Sequence, residues 1–341
     1  MAKGKILMTV SEYRFFTGHG TGINNLCLGL KDLGFEMAIG AFKFHDKPPE
    51  GIDMVNLKKI NFFSEEVKKF DIIHNNHPKL NYYSLFSPKP FIFHLYGASN
   101  KIQELNVKLS ILLCKNKISK ILAISNSVVY QVNNAINKIP IKVVYLGVDT
   151  KYFNVNLERK FHKGQPQLLF VGVLYPHKNV EMLIGSMHDI LKKFPNSHLQ
   201  IVGNGSEYLK LKQKIENEQL KSNVELLGNI EKEELRDRYA SCDVYVTASK
   251  HEMLDLPAIE AMSCGKPVVL SDIPVHKEII KESKGGEIFS LNNEKNLRIM
   301  IEKCIKNSKE IGEKGRQFAE KNDWKEVSKK IALIYNELLK L

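Results

Sequence analysis

The sequence predicts an α/β fold of two Rossmann-like domains, each built on a parallel sheet. Three observations lead there. Short β-branched runs alternate with helical patterns, the rhythm of βαβ units. A polar, charged segment, residues 151–166, splits the strand candidates into two sets and ends in Lys163-Gly164-Gln165-Pro166. Strands in both halves run into short turns that open a helix, and open α/β sheets bind ligands at those carboxyl ends.

In the first half, strands are expected at residues 5–10, 37–40, 71–74, 90–95, 120–124 and 142–145. In the second they are expected at 167–171, 198–202, 224–227, 243–247 and 267–270. A helix over 23–33 follows the first strand. Leu183, Met187, Ile190 and Leu191 make one apolar helical stripe, and Val327, Ile331, Ile334, Tyr335 and Leu338 make another near the C-terminus. The expected organisation is a first domain over 1–150, a hinge over 151–166, a second domain over 167–322 and a terminal helix over 323–341. No short repeat interrupts it.

At 341 residues the chain is long enough for two domains of ordinary size. Its 43% hydrophobic and 26% charged residues are those of a soluble globular protein. The nearest approach to a membrane span, residues 109–114, is bounded by Lys108 and Lys115 and is far too short. Ile6-Leu7-Met8 after Lys3 and Lys5 reads as a first strand rather than a signal peptide. Five scattered cysteines without a Cys-x-x-Cys pair fit reduced thiols in the cytoplasm.

The net charge of +12 is uneven: residues 1–150 hold 19 Lys/Arg against 11 Asp/Glu. Such a surface favours anionic partners, a membrane face among them, or serves solubility alone. No recognisable nucleic-acid motif accompanies the lysines, so nucleic acid is not an expected partner.

Residues 252–260, Glu252-Met253-Leu254-Asp255-Leu256-Pro257-Ala258-Ile259-Glu260, are the most informative stretch. Pro257 suits the first turn of a helix, which places Glu252 on the loop leaving a strand and Glu260 in the first turns. The helix N-terminus between them would offer free amides to a phosphate, while the carboxylates would accept sugar and ribose hydroxyls. Asp255 either caps the helix or meets a sugar hydroxyl.

This stretch resembles the Glu-x7-Glu signature of retaining glycosyltransferases of family 4, which have the GT-B fold: two Rossmann-like domains facing a cleft, with a C-terminal helix crossing back to the first. Four further segments carry the resemblance. Gly172-Val173 through Lys178 is similar to the family's Gly-Arg-x-x-x-x-Lys loop, with Val173 in place of Arg. Gly203-Asn204-Gly205 is similar to its Gly-x-Gly turn. Gly228-Asn229-Ile230 matches the segment whose backbone faces the nucleobase. Leu146-Gly147-Val148-Asp149 resembles its Asn-Gly-Val-Asp, with Leu146 for Asn.

The resemblance implies transfer of a hexosyl unit, with retention, from a UDP-, GDP- or similar nucleotide sugar to a saccharide or lipid-linked acceptor in cell-envelope polysaccharide or glycoconjugate synthesis. It implies that Lys178 neutralises the diphosphate, Glu252 contacts the donor sugar and Glu260 binds the ribose. Met253, Leu254, Asp255 and Leu256 would line the donor, where the family often has Gly-Phe-Gly after the first Glu. Gly20, Thr21 and Gly22, in Thr17-Gly18-His19-Gly20-Thr21-Gly22, would form a phosphate or acceptor loop in the first domain. Tyr96 stands where the family has a catalytic His, and His94 lies two residues earlier on the same strand face.

No metal or cofactor is expected: His74-Asn75-Asn76-His77 is an incomplete ligand set, and no Asp-x-Asp motif occurs. The expected location is the cytoplasm, peripherally at the inner membrane face. The alternative is a degenerate, non-catalytic subunit of GT-B fold that binds a sugar nucleotide, kept open by Val173, Asp255 and Tyr96.

Overall fold

The computed structural model describes residues 3–15, 18–58, 65–136 and 139–340, so Thr17 of the glycine-rich stretch lies outside the described residues. The chain divides into two compact units. Unit 1 is Met1–Gly147 with Trp324–Leu341, and unit 2 is Val148–Asp323.

Unit 1 contains β1 (Lys5–Tyr13), α1 (Gly18–Asp32), β2 (Glu36–Phe44), β3 (Asp53–Asn56), α2 (Glu65–Lys68), β4 (Ile72–Asn75), β5 (Phe91–Leu95), α3 (Lys101–Cys114), β6 (Ile118–Ala123), α4 (Asn126–Ile136) and β7 (Ile141–Val143). A 3-10 helix, Pro78–Leu85, links β4 to β5. The seven strands run in the order β3-β2-β1-β4-β5-β6-β7, all parallel. Order therefore reverses between β1 and β4, the switch point where such sheets leave a crevice. β4 and β5 are buried along their whole length, as central strands covered on both faces must be. Ile6, Met8 and Val10 of β1 pack with Ile23, Leu26 and Leu30 of α1, beside Ile331 and Ile334 near the C-terminus.

Unit 2 contains β8 (Gln167–Val171), α5 (Val180–Lys193), β9 (His198–Val202), α6 (Tyr208–Asn217), β10 (Val224–Gly228), α7 (Lys232–Ser241), β11 (Val244–Thr247), α8 (Leu256–Ser263), β12 (Val268–Ser271), α9 (Pro274–Ser283), β13 (Gly286–Phe289), α10 (Glu294–Lys306) and α11 (Ser308–Lys321). Its strands run β10-β9-β8-β11-β12-β13, again parallel, with the switch between β8 and β11. α12 (Trp324–Leu339) returns to unit 1 and lies along α1. The two helices come close because a Cβ on Gly29 would stand 2.2 Å from Ser328 Oγ. This is a two-sheet architecture of the GT-B kind.

The structure corrects several expectations. α1 begins at Gly18 rather than at 23, so Gly20, Thr21 and Gly22 lie in a helix and not on a loop. The cause is contact: a Cβ on Gly20 would sit 1.8 Å from the Arg14 carbonyl oxygen, which lets the chain turn tightly into the helix. β3 and β13 are additional edge strands. β3 is mostly exposed and lacks an alternating pattern, and β13 opens on a glycine. Residues 151–166 also do not form a separate linker. Arg159 meets Asp243 at 2.6 Å and Lys163 meets Glu225 at 2.8 Å, so the segment packs on unit 2 and the division falls at Gly147–Val148.

Candidate active site

The second sheet concentrates its chemistry at the switch point. β8 ends at Val171, and the chain passes through Gly172 into a 3-10 turn, Pro176–Lys178. Asn179 then takes a left-handed conformation (φ 52°) and opens α5. The next loop lies against this one. Gly203 has φ +125°, and a Cβ there would stand 2.0 Å from the Gly172 carbonyl oxygen; at Gly205 it would stand 2.5 Å from that of Leu174. Leu174 donates from its amide to the Asn204 carbonyl at 3.0 Å. The glycines of Gly203-Asn204-Gly205 therefore serve close backbone packing of two loops. Gly228, by contrast, has φ +66° and open space around its Cβ position. Its neighbours Asn229 and Ile230 lead into α7.

β11 supplies the decisive side chains. Past Thr247 the chain carries Ser249 and Glu252, then Asp255 at the N-cap of α8 with Pro257 in the first turn. Lys178 and Glu252, both largely buried, form an ion pair across the switch point. Ser249 Oγ donates to the same Glu252 carboxylate at 2.8 Å and lies 3.1 Å from Thr247 Oγ1. His177 and His251 flank this pair closely enough that Lys178 and His251 help hold the His177 imidazole below its ordinary value, after burial. Val173, at the position where a second cation was missing, is 48% exposed.

Asp255 is a cap. Its carboxylate accepts from the Ala258 amide at 3.3 Å and is 2% exposed, and Oδ2 stands 3.2 Å from His276 Nε2. The free amides expected at this helix N-terminus are thus partly taken, because a buried carboxylate already answers the positive end of α8. Burial opposes ionisation of Asp255, but His276, the Lys178 charge and the Ala258 amide together keep the carboxyl below the usual carboxylate value. His276 Nδ1 lies 3.0 Å from Ser271 Oγ and 3.1 Å from the Ser271 carbonyl oxygen. Ser271 Oγ in turn donates to the Ser249 carbonyl at 2.5 Å. A continuous polar chain thus runs from the α8 cap through His276, Ser271 and Ser249 to Glu252. His276, Ser271 and Ser249 escaped the sequence reading; the only signal for Ser249 and Ser271 was position at or just past the ends of β11 and β12, and for His276 its place in the first turn of α9.

Glu260, one turn into α8, accepts from Tyr239 Oη at 2.7 Å. Burial, with the Asp255 charge adding to it, pushes its carboxyl up to about 7, while Tyr239 and Lys232 pull the other way. The native state then holds a proton that the unfolded chain has released above its ordinary 4.5, so this group's contribution to stability falls as pH rises towards 7. Met253, Leu254 and Leu256 are half-buried around these carboxylates.

Unit 1 presents a second polar cluster at its own switch point. His74 of β4 meets Tyr335 Oη of α12 at 2.6 Å through Nδ1 and His94 Nδ1 at 3.2 Å through Nε2. Burial pushes His74 down to about 3, so it is neutral. With Tyr335 donating to Nδ1, His74 donates from Nε2 and His94 carries its proton on Nε2. His94 is 2% exposed. Tyr96, half-buried, stacks on it at 4.7 Å and donates to Asn76 Oδ1 at 3.1 Å. His77 caps the 3-10 helix by accepting from the Lys79 amide, so the two outer histidines of 74–77 serve different structural bonds.

Known proteins resemble this chain in sequence and fold. Residues 155–323 match the glycosyl transferases group 1 family, a span that includes Lys178, Glu252 and Glu260. An uncharacterized glycosyltransferase of Methanocaldococcus jannaschii is 28% identical over 98% of both chains. The O-antigen chain mannosyltransferase RfbU of Salmonella typhimurium is 29% identical over 51% of this chain and 47% of its own length. Among solved structures, Anabaena HepE in complex with UDP superposes with a TM-score of 0.80 at 18% identity, over 98% of this chain and all of HepE. The chain has the GT-B fold.

Proposed function

We propose that this chain is a glycosyltransferase that moves a hexosyl unit, with retention of configuration, from a nucleoside diphosphate sugar to a hydroxyl of a saccharide or glycolipid acceptor, in glycoconjugate or cell-envelope polysaccharide synthesis. The observation that carries the reading is the Lys178–Glu252 pair at the β8–β11 switch point, with Glu260 eight residues along the same strand-to-helix corner. HepE has been solved with UDP and with UDP-glucose, which favours a UDP-sugar donor.

In this reading the diphosphate displaces part of the Lys178–Glu252 contact. Lys178 neutralises charge building on the leaving group, and Glu252 turns to the hydroxyls of the sugar. Glu260 accepts from the ribose, and the open backbone at Gly228, Asn229 and Ile230 meets the base. Gly172, Gly203, Asn204 and Gly205 shape the phosphate wall, with Val173, Met253, Leu254 and Leu256 as apolar lining. Asp255 acts from behind, as cap and anchor. In unit 1, Tyr96 and His94 are the candidate catalytic side chains, and Gly20, Thr21 and Gly22 at the start of α1 belong to the acceptor side. The leaving phosphate helps remove the acceptor proton, so the protein supplies orientation and charge more than a strong base. Lys178 neutralises the diphosphate in this scheme, which calls for no metal or cofactor. No described helix is long and apolar enough to cross a membrane, and a cytoplasmic enzyme acting at the membrane face suits a lipid-linked acceptor.

A thermal-shift screen of UDP-, GDP-, ADP- and TDP-sugars tests the donor. One nucleotide series is expected to raise Tm by several degrees at saturation, since a ligand at a hundred times its Kd adds about 2.7 kcal/mol. No shift with any of them at millimolar concentration would end the proposal.

The raised Glu260 value adds a pH signature. A carboxylate can accept from both hydroxyls of a ribose diol and does so more strongly than a carboxylic acid, one of whose oxygens carries a proton, so nucleotide affinity should climb up to about tenfold between pH 6 and pH 8. Isothermal titration of UDP across that range checks it, and Glu260→Gln should flatten the curve.

A further inference from the structure

The helix α3 has two apolar faces and only one is covered. Val107, Ser110, Ile111 and Cys114 are buried against unit 1. Ile102, Leu105, Leu109, Leu112 and Leu113 point away from it and are 43–75% exposed. At 3.6 residues per turn these five fall within an arc of roughly 100°, opposite the buried face. Scattered exposed leucines need no explanation, but five on one stripe do. Two elements that pack on α3 expose further apolar side chains: Tyr82 and Leu85 on the 3-10 helix before β5, with Phe86 at its end, and Tyr130 on α4.

Charge identifies the partner. Lys101, Lys108 and Lys115 recur every seventh residue and line one flank of the stripe. Between Lys79 and Lys117 the chain carries six lysines and a single acidic residue, Glu104, which is paired with Lys108. An apolar stripe bordered by lysines matches the acyl boundary and phosphates of an anionic bilayer surface. A second copy of the chain fits poorly, because docking like faces would bring two lysine rows together.

We propose that α3 is an interfacial helix that seats unit 1 on an anionic phospholipid surface, with Ile102, Leu105, Leu109, Leu112 and Leu113 in the acyl boundary and the lysine row on the headgroups. The orientation is that of a helix lying in the interface plane, since its length and lysine content forbid spanning. This surface is separate from the donor residues of unit 2, so it stands or falls independently of the donor assignment.

Vesicle flotation of the full chain tests it. The protein should float with vesicles of equal parts phosphatidylglycerol and phosphatidylcholine about tenfold more than with phosphatidylcholine alone, and high salt should weaken this. Leu109→Asp with Leu113→Asp should abolish flotation, and Lys101→Glu with Lys115→Glu should remove the preference for anionic lipid. The nucleotide thermal shift serves as a folding and donor-site control and should be unchanged in both. Leu112→Trp should show blue-shifted emission, quenched by brominated lipid beyond the Trp324 background. No flotation of the unaltered protein at low salt would overturn the proposal, as would equal flotation of the aspartate variant or a Leu112→Trp signal that brominated lipid leaves unquenched. A solution dimer that the aspartate variant converts to monomer would overturn it in favour of contact between copies.

Discussion

Lys178→Met is expected to lower kcat/KM for sugar transfer by about 10²–10³-fold, the cost typical of losing one preorganised charge aimed at a developing anion. Glu252→Gln should cost a similar factor while nucleotide binding persists, because its proposed contact is with the sugar rather than the diphosphate. The two side chains form one unit in the resting enzyme, since Glu252 accepts from both Lys178 and Ser249. The double variant should therefore be little worse than the poorer single variant. Steady-state kinetics with the donor found by thermal shift, on variants with unchanged circular dichroism, decides the matter. Activity within a few-fold of the parent in both would remove the Lys178–Glu252 pair from the chemistry, whereas nucleotide binding by the parent without turnover across a broad acceptor panel would leave a sugar-nucleotide binder.

The largest stability effect is expected at His276. Its ring is fully buried against a carboxylate that is itself 2% exposed, and Asp255 has no other ion-pair partner among the described residues. His276→Ala leaves that carboxylate at the α8 cap without its partner, a defect that costs about 3–5 kcal/mol in buried pairs. Calorimetry should show Tm falling by roughly 10 °C or more. His276→Gln should recover part of the loss by donating to Asp255. A Tm within about a degree of the parent would show that the pair does not hold the corner. Because the same polar chain reaches Glu252 through Ser271 and Ser249, His276→Gln should also lower kcat more than it changes nucleotide affinity.

Much of the fold was legible because its central strands are apolar on both faces. β8 and β9 lie at the expected residues, and most other central strands agree to within one or two. The edge strands β7 and β10 were also legible, but β3 and β13 were not: β3 packs too little to impose an alternation. The start of α1 was misplaced for a related reason. Glycine normally signals a loop, yet here Gly20 is what allows the helix to begin beside the Arg14 carbonyl. The positions of Glu252 and Glu260 followed from Pro257, whose missing N–H belongs in a first helical turn.

Partnership was another matter. That Lys178 reaches Glu252 and that His276 stands behind Asp255 depend on loops seventy-four and twenty-one residues apart being brought to one switch point. The exposed stripe of α3 shows the same division. Its leucine spacing is written in the chain, but spacing alone cannot say which of two apolar faces the sheet will cover. The order of apolar and turn-forming residues determined the helices, the strands and the corner that carries the carboxylates, because those preferences act locally. Only tertiary packing decided which charges are paired and which apolar face remains bare, because burial and electrostatic pairing are set by neighbours distant along the chain.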